Sequence, residues 1–207
     1  MRILYLQTFP FWGSGSGTYA RHLASEMGKR HKVAILAPDD RPIERAKLYP
    51  FTLPFHVSFT GHPEWPDSKL YGKLPPEEIT HIYQTFLHET IHAVEDFRPD
   101  IIHVHHAYPL AWAAAEIKAR FGINFIVTIH GSELPTLEKD KRYWQRTYDA
   151  MYRAKRIIPN SRWTRDWFVR IFDGHFHEKC RVIPGGVNSN KFIYSESGAK
   201  AVDRELD

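Results

Sequence analysis

An open parallel α/β sheet is the fold class that this sequence predicts, and two observations support it. Apolar runs of strand length alternate along the chain with segments whose apolar residues recur at helical spacing, which is typical of strand–helix–strand units. The chain is also long enough, at 207 residues, to bury a full core in one or two domains. We find no internal repeat and no low-complexity tract that would favour another class.

The elements follow one another in a regular order. We predict strands over Ile3–Gln7, Lys32–Ala37, Ile101–His105, Asn124–Ile129, Arg156–Pro159 and Cys180–Ile183, with a weaker one near His56–Phe59. We predict helices over Thr18–Lys29, from about Pro75 to Phe97, and over Leu110–Arg120, Lys139–Arg153 and Ser161–Phe172. From Pro38 to Pro76 the chain is rich in proline and aromatic residues and lacks a clean period, so we expect an excursion from the sheet there.

The net charge of +4 is unevenly distributed. Residues 139–181 contain 12 Lys and Arg against 5 Asp and Glu. A basic stretch can face an anionic substrate, a membrane surface or nucleic acid. We find no zinc-finger, RNA-binding or long basic-tail pattern, so we expect no nucleic-acid partner. Two alternatives stay open for residues 139–181. They could contact anionic lipid at a membrane surface, or they could face the nucleotide in an active site.

The cysteine content and the first residues indicate a compartment. The single cysteine, Cys180, excludes an intrachain disulfide and fits a reducing environment. The first six residues form a very short apolar run with one basic residue, which fits neither a signal peptide nor a membrane span. We therefore expect a cytoplasmic protein, with a position at the inner face of a membrane as the alternative. The oligomeric state is left open.

The pentapeptide from His88 to His92 has the zinc-protease pattern H-E-x-x-H. On a helix the two histidines share one face, and Glu89 would act as general base for a metal-bound water. The apolar stripe of this helix, however, places both histidines on the opposite, solvated side. No third ligand follows at the spacing of the extended motif. A polar helix face is the favoured interpretation, and a zinc metalloprotease using His88, Glu89 and His92 is a remote alternative.

Glycine-rich or polar segments follow four of the predicted strands. The first strand is followed by Gly13, Gly15 and Gly17, and three later strands are followed by "HVHHAYP", "TIHGSE" and "PNS". In open parallel sheets, ligands bind beyond the carboxyl ends of the strands, so we expect these segments to assemble one site. A helix that begins at the glycines would offer backbone N–H groups to a phosphate.

The glycine loop allows more than one interpretation. Residues 15–20 satisfy G-x-G-x-x-A, and Asp39 follows where a dinucleotide-binding fold places its ribose-binding acid. An NAD(P)-binding oxidoreductase is therefore an alternative function. Against it, Thr8–Ser14 separate the strand from the glycines, which makes the loop too long for the tight dinucleotide turn. The glycines could also serve only to let the strand and the helix pack closely.

Five segments together resemble a known family. They are "FPFWGSGSGTYARHLASEMGKRHKVAIL", "RPDIIHVHHAYP", "FIVTIHGSE", "AKRIIPNS" and "RVIPGGVNSNKF". In order and separation they are similar to the amino-terminal domain of retaining GT-B glycosyltransferases of glycosyltransferase family 4. The resemblance implies a Rossmann-like open parallel sheet with helices on both faces. It also implies transfer of a sugar, with retention of configuration, from a nucleotide-sugar donor to a sugar or lipid acceptor.

The resemblance also implies a division of the chain. Residues 1–194 would form the acceptor-side domain, and residues 195–207 a linker or truncated tail. In this family a second, carboxyl-terminal domain holds most of the donor nucleotide, and we expect that domain to be absent here. We therefore expect the chain alone to be inactive.

Roles for individual residues follow from the same resemblance. His130 matches the catalytic histidine that approaches the donor sugar, and the donor phosphate loop would be Gly15, Ser16 and Gly17. The residues expected to line the acceptor side of the cleft are His105, His106, Glu133, Asn160 and Ser161. From strand alternation we expect His103 to point away from His105 and into the core.

Two residues depart from the family pattern. Ser14 stands where the first glycine of a pair is usual, and we expect it to reshape the phosphate loop slightly. Gly185 stands where asparagine is usual, and we attach no meaning to that difference. No Asp-x-Asp metal motif occurs. We therefore expect neither a metal nor a cofactor, the nucleotide sugar being a substrate.

Overall fold

The computed structural model describes residues 1–187, and the predicted boundary at residue 194 and the tail 195–207 lie outside this range. Within it the strands are β1 (Arg2–Leu6), β2 (Lys32–Ala37), β3 (Lys47–Pro50), β4 (Val57–Ser58), β5 (Lys69–Leu70), β6 (Ile101–His105), β7 (Asn124–Ile129) and β8 (Arg156–Pro159). The helices are α1 (Gly15–Met27), α2 (Pro76–Phe97), α3 (Leu110–Phe121), α4 (Leu134–Lys139), α5 (Lys141–Arg153) and α6 (Arg162–Ile171).

Six strands form one parallel sheet in the order β3-β2-β1-β6-β7-β8. The predicted parallel α/β sheet is therefore confirmed. The chain runs outward from β1 to β3 and then crosses to β6 on the other side of β1. This reversal places a topological switch point between β1 and β6, where sheets of this kind bind ligands.

Helices cover both faces of the sheet, so the central strands are apolar on both sides. Tyr5 and Ile35 lie in a core beneath α1. Their neighbours Leu4 and Leu36 point to the other face, into a larger core with residues of α2, α3 and α5. The alternation follows from the two-residue period of a strand. It explains why these strands read as continuous apolar runs.

The excursion after β2 is more regular than its sequence indicates. It supplies β3 to the sheet edge, which the sequence analysis did not predict. β3 is short and ends in Pro50, and an edge strand tolerates a proline because one row of its N–H groups needs no partner. The weak strand predicted near His56–Phe59 exists as β4, but it pairs with β5 outside the main sheet.

The strand predicted over Cys180–Ile183 is wrong. Cys180 forms a single parallel bridge with Ile157, and the Ile183 N–H donates to the Pro159 carbonyl at 3.1 Å. The segment runs beside β8 without forming a regular strand. Its apolar residues are explained by this contact with β8.

Two helix predictions differ from the structure by more than one residue at an end. α1 begins at Gly15 instead of Thr18. The helix predicted over Lys139–Arg153 is α5 and begins two residues later, at Lys141, because Asp140 ends α4 and caps α5 by accepting the Arg142 N–H at 3.0 Å. α4 itself was not predicted, since six residues carry little helical period.

α2 has the two-sided character that its sequence predicts. Ile82 and Phe86 are buried, whereas His88 and His92 are exposed. The polar helix face is therefore confirmed. Within residues 1–187 no group of three His, Cys, Asp or Glu side chains is placed to hold a metal ion. Over the same residues, no helix has the length and apolar character needed to cross a membrane.

Candidate functional site

A cavity of about 490 Å³ opens beyond the carboxyl ends of the strands beside the switch point. It is lined by Phe9, Ser14, Gly15, Ser16, Tyr19, Phe59, Thr60, Gly61, His62, His130, Ser132, Asn160 and Gly185. Of the predicted site residues, Gly15, Ser16, His130 and Asn160 are in this lining. The others, Gly17, His105, His106, Glu133 and Ser161, are not. The cavity is therefore built partly by predicted residues and partly by residues of the excursion.

The glycine loop ends in the first turn of α1. Ser14 is the N-cap of this helix, and its Oγ accepts the Gly17 N–H at 3.1 Å. Ser14 thus stabilises the helix start, which replaces the expectation that it merely reshapes the loop. Gly15 and Ser16 occupy the first helical positions, whose N–H groups have no acceptor within a helix. They line the cavity, so the positive end of the helix faces it.

The two glycines of this turn have different reasons to be glycine. A Cβ at Gly17 would lie 2.4 Å from the carbonyl oxygen of Pro10, so only glycine lets α1 approach the loop this closely. A Cβ at Gly15 would meet no atom within 4 Å. Close packing therefore explains Gly17, whereas Gly15 borders open space in the cavity.

Asp39 is the residue that would bind the ribose in the oxidoreductase alternative, but its carboxylate already has partners within the protein. Its carboxylate accepts the Phe11 N–H at 2.9 Å and the Arg41 guanidinium at 2.7 Å. Burial acts to raise the pKa of Asp39, but the hydrogen bonds from Arg41 and from the Phe11 N–H outweigh it, and the pKa is lowered. Arg41 also bonds Glu64 at 2.9 Å. Asp39 thus ties the glycine loop to the excursion, and the geometry does not favour a ribose site.

His130 follows β7 and reaches the cavity. Its Nε2 is hydrogen-bonded to Nδ1 of His105 at 3.0 Å, and its ring meets Tyr19 of α1 edge to face at 5.4 Å. Burial lowers the pKa of His130 to about 4. The ring is therefore uncharged near neutral pH. It can donate or accept one hydrogen bond toward the cavity, but it supplies no positive charge.

The rings of His103 and His105 are stacked at 5.0 Å, on the same face of β6. The expectation that they point to opposite sides was wrong, because residues two apart on a strand share a face. His103 is buried, as expected, and its Nε2 bonds Thr128 Oγ1 at 2.8 Å. Burial and the charge that His130 would carry lower the pKa of His103 to about 3. The pKa of His105 is held well below its usual value, mainly by burial and in addition by the neighbouring histidines.

His106 forms the wall behind His130. Its ring lies 4.7 Å from the His130 ring and 5.1 Å from Phe9, between centroids. It is fully buried, and neither ring nitrogen has a partner among the described residues. Burial, together with the nearby His130, keeps its pKa well below the usual value. His106 therefore supports His130 from within the core and does not line the cleft.

Glu133 acts on the backbone of the loop after β7. Its side chain is fully buried, and its two oxygens accept the N–H groups of His130 and Gly131 at 3.1 and 2.8 Å. The prediction that Glu133 lines the cleft is therefore not met by its geometry. Burial raises the pKa of Glu133 to about 7, although these backbone bonds favour the charged form. Through its two hydrogen bonds to backbone N–H groups, Glu133 fixes the loop that carries His130.

Asn160 and Ser161 play different parts after β8. The Asn160 amide donates to the His130 carbonyl at 2.9 Å, so it orients the same loop from the cavity side. Ser161 is the N-cap of α6, and its Oγ accepts the Thr164 N–H at 3.0 Å. Helix capping accounts for Ser161, and the residue stays behind the cavity wall.

Several lining residues were not singled out in the sequence. Tyr19 falls on the apolar stripe of α1, so its periodicity indicated core packing. Phe59, Thr60 and His62 belong to the excursion, which has no period and matches no motif. The small residues around them predict only a loop. Their place at the cavity depends on tertiary contacts such as Phe59 with His106, whose rings lie 5.0 Å apart.

The basic block over residues 139–181 is dispersed in the structure. Arg142 pairs with Asp140 and Arg165 with Asp166, each at less than 3 Å. Lys179 donates to main-chain carbonyls at the end of α5. Trp163 is 66% exposed on α6, beside this charge. Contact with a membrane stays a prediction that these contacts do not test.

Comparison with protein families identifies one family for this chain. The family model described as Glycosyltransferase Family 4 matches residues 13–191. The parallel sheet with helices on both faces is a Rossmann-like domain. The chain belongs to glycosyltransferase family 4. No curated protein sequence matches it.

Solved structures show the fold. HepE from Anabaena, solved with UDP-glucose, is 17% identical with a TM-score of 0.60 over 100% of this chain and 50% of that one. Sucrose-phosphate synthase from Thermosynechococcus elongatus is 16% identical with a TM-score of 0.61, over 98% and 52%. UDP-GlcNAc 2-epimerase from Neisseria meningitidis is 12% identical with a TM-score of 0.53, over 89% and 47%. The chain spans about half the length of these proteins and has the architecture of the amino-terminal half of a GT-B fold.

Proposed function

We propose that this chain is the acceptor-side domain of a retaining glycosyltransferase, which transfers a sugar from a nucleotide-sugar donor to a hydroxyl-bearing acceptor. The observation that carries the proposal is one cavity lined by both the start of α1 and His130. Family membership supports the reaction class, and the HepE complex with UDP-glucose is consistent with a nucleotide-sugar donor. No described observation favours the NAD(P) or zinc alternative.

The reaction breaks the bond between the anomeric carbon and the diphosphate, and forms a bond from that carbon to an acceptor oxygen, whose proton is lost. Negative charge develops on the departing diphosphate, so donors aimed at it lower the barrier. The N–H groups of Gly15 and Ser16 can serve in this way at the positive end of α1. The Gly17 N–H is already bound by Ser14, which narrows the predicted phosphate loop to two donors.

His130 would act as a positioned, neutral hydrogen-bonding group. Its low pKa means that it adds no positive charge beside a sugar carbon that becomes cationic. Its backbone is held by Glu133 on one side and by Asn160 on the other. The carbonyl and ring of His130 are thus both oriented before substrate binds, which is the condition for electrostatic preorganisation.

We also propose that the chain transfers no sugar by itself. Donor and acceptor must be held together for turnover, and the family resemblance assigns most of the donor nucleotide to a second domain. Such positioning can account for roughly 7–11 kcal/mol of barrier. Losing it would make turnover undetectable.

The test compares the chain alone with the chain joined to a donor-side GT-B domain. Nucleotide release from UDP-, GDP- and ADP-sugars is measured with and without acceptors, and the anomeric configuration of product is read by NMR. We expect turnover only in the joined protein, with retention. His130→Ala should reduce it at least tenfold, about 1.4 kcal/mol or more. The matched control is His92→Ala on the exposed face of α2, which should leave turnover unchanged.

Three outcomes would contradict the proposal. Full activity of the chain alone would mean that the site is complete without a second domain. Inversion at the anomeric carbon would exclude the retaining mechanism. Equal turnover of wild type and His130→Ala would show that the site has been misplaced.

A further inference from the structure

We infer that the acceptor is an uncharged, hydroxyl-bearing sugar that packs against the aromatic wall formed by Phe9, Phe59 and His62. This inference rests on the proposed function and names the substrate class of the same site. It depends on Phe59 and His62, which the excursion contributes to the cavity, and on Phe9, which follows β1. The sequence resemblance assigned none of them.

The aromatic wall begins beside the glycine loop, where a Cβ at Gly13 would lie 3.4 Å from the His62 ring. The Phe9 ring meets Phe59 edge to face at 5.1 Å and lies 5.8 Å from the His62 ring. Both phenyl rings also contact His106, which touches His130. If α1 receives the diphosphate and His130 the donor sugar, the space beside this wall is left for the acceptor. Aromatic rings bury the C–H face of a sugar while its hydroxyls remain free to hydrogen-bond.

Every side chain that lines the cavity is uncharged near neutral pH. Apart from the aromatic rings, the lining offers hydroxyl and amide groups such as those of Thr60, Ser132 and Asn160. Burial lowers the pKa of His62 and that of His130, so neither ring supplies a cation. A phosphate or carboxylate bound beside the aromatic wall, out of reach of the N–H groups of α1, would lose its hydration without gaining an opposite charge, which is costly. Neutral hydroxyl groups incur no such cost.

The nearest charged residues are engaged elsewhere. Arg41 bonds Asp39 and Glu64, and its guanidinium lies 4.2 Å from the ring centre of Trp12. Glu133 is turned to the backbone behind the loop. The Arg41 charge is thus compensated by carboxylates outside the cavity lining, and the Glu133 carboxyl bonds to backbone N–H groups.

His62 adds a directional group. Its Nδ1 accepts the Glu64 N–H at 3.2 Å, so in the neutral ring the proton is on Nε2. That Nε2–H is buried and has no partner among the described residues. An unmade bond of a buried donor has a free-energy cost, which a hydroxyl oxygen would remove once a small turn of the ring brings Nε2 to the cavity that His62 lines.

The test uses the chain joined to the donor-side domain and saturated with UDP, so that the start of α1 is occupied, with three probes: methyl α-glucopyranoside, glucose 6-phosphate and glucuronate. Binding is followed by saturation-transfer NMR and by competition. We expect the neutral glycoside to bind weakly, with a Kd on the order of millimolar, and each anionic probe to bind at least tenfold more weakly (roughly 1.4 kcal/mol). Thr60→Lys should raise the ratio of glucose 6-phosphate to glycoside binding at least tenfold. Thr80→Lys, on the exposed face of α2, should leave this ratio unchanged.

Preferred binding of an anionic probe, or no binding of any sugar, would overturn the inference. An unchanged ratio in Thr60→Lys would place the bound sugar away from the aromatic wall and would also overturn it. The proposed function is judged separately, by donor turnover in the joined protein. A protein that turns over nucleotide sugar but prefers a phosphorylated acceptor would retain the function and refute only the inference.

Discussion

Histidines occupy two contrasting regions of this molecule. On α2 they lie on the solvated helix face, at His81, His88 and His92. At the carboxyl ends of β6 and β7 they form a buried cluster, which consists of His103, His105, His106 and His130. The exposed set matches a familiar metal motif, whereas the buried set matches none outside a family resemblance. The difference teaches that burial and partners, and not the spacing of residue types, give a histidine its chemistry.

Burial makes the cluster a stability element as well as a site. A buried ring that stays neutral in the folded state takes up a proton only after unfolding, so its folded pKa is depressed. Stability from such a ring is complete above the unfolded pKa and is lost as the pH falls toward the folded one. The exposed rings of α2 contact water in the folded state as well as in the unfolded state.

The largest expected effect is acid destabilisation by the cluster. The pKa of His103 is lowered to about 3. Between about pH 7 and about pH 4, this ring alone should reduce the free energy of unfolding by about 3 kcal/mol. His103→Gln keeps an amide near Thr128, and should remove that part of the acid loss in urea titrations at several pH values. His88→Gln serves as the control and should retain the wild-type loss. An identical pH dependence in His103→Gln would contradict the comparison.

A substitution in the glycine loop should weaken the cover over the cluster. Tyr19 of α1 packs on His105 and His130, and α1 is held close by Gly17. Gly17→Ala places a methyl group against the Pro10 carbonyl, and such overpacking should cost about 2–3 kcal/mol of stability. Because water would then reach the histidines, the acid loss should also decrease. Gly15→Ala meets open space and should change stability by less than about 0.5 kcal/mol. Equal effects at both glycines would contradict this account.

Glu133 should give a pH dependence of opposite sign. Its carboxyl pKa is raised to about 7, so the folded state holds a proton that the unfolded state releases. Its contribution to stability is therefore largest below the unfolded pKa and is lost as the pH rises toward 7. We expect a loss of about 2 kcal/mol between about pH 5 and about pH 7. Glu133→Gln should remove it, measured as the change in slope relative to wild type. An unchanged slope would mean that water reaches the carboxylate.

The sequence predicted the sheet well because buried parallel strands are continuous apolar runs. β1, β2, β6, β7 and β8 were all found, whereas the edge strand β3 was missed because its Lys and Pro carry no strand pattern. Cys180–Ile183 shows the converse error, since an apolar run can pack beside a strand without pairing along it. An apolar run in the sequence indicates that a segment is buried. A strand must in addition pair with a neighbouring strand along its length.

The site was predicted less completely than the fold. Motif residues such as Gly15 and His130 reach the cavity because strand ends determine where they lie. Glu133 and Ser161 belong to the same motifs, yet they bond to backbone N–H groups beside them. A polar residue after a strand can serve a ligand or the loop itself, and sequence does not distinguish the two. Phe59 and His62 reach the cavity only through packing across the fold.

The smallest expected effect concerns the motif on α2. His88 and His92 are exposed, and Glu89 is only half-buried, so the three groups share no enclosed space. A catalytic zinc needs a third ligand and a shaped cavity. We therefore expect the purified protein to hold less than stoichiometric zinc, and a chelator to leave its Tm unchanged. His88→Ala should change the free energy of unfolding by less than about 0.5 kcal/mol, because it removes only solvated surface. Tight, stoichiometric zinc that is lost in His88→Ala would reverse the comparison and make the exposed histidines the functional ones.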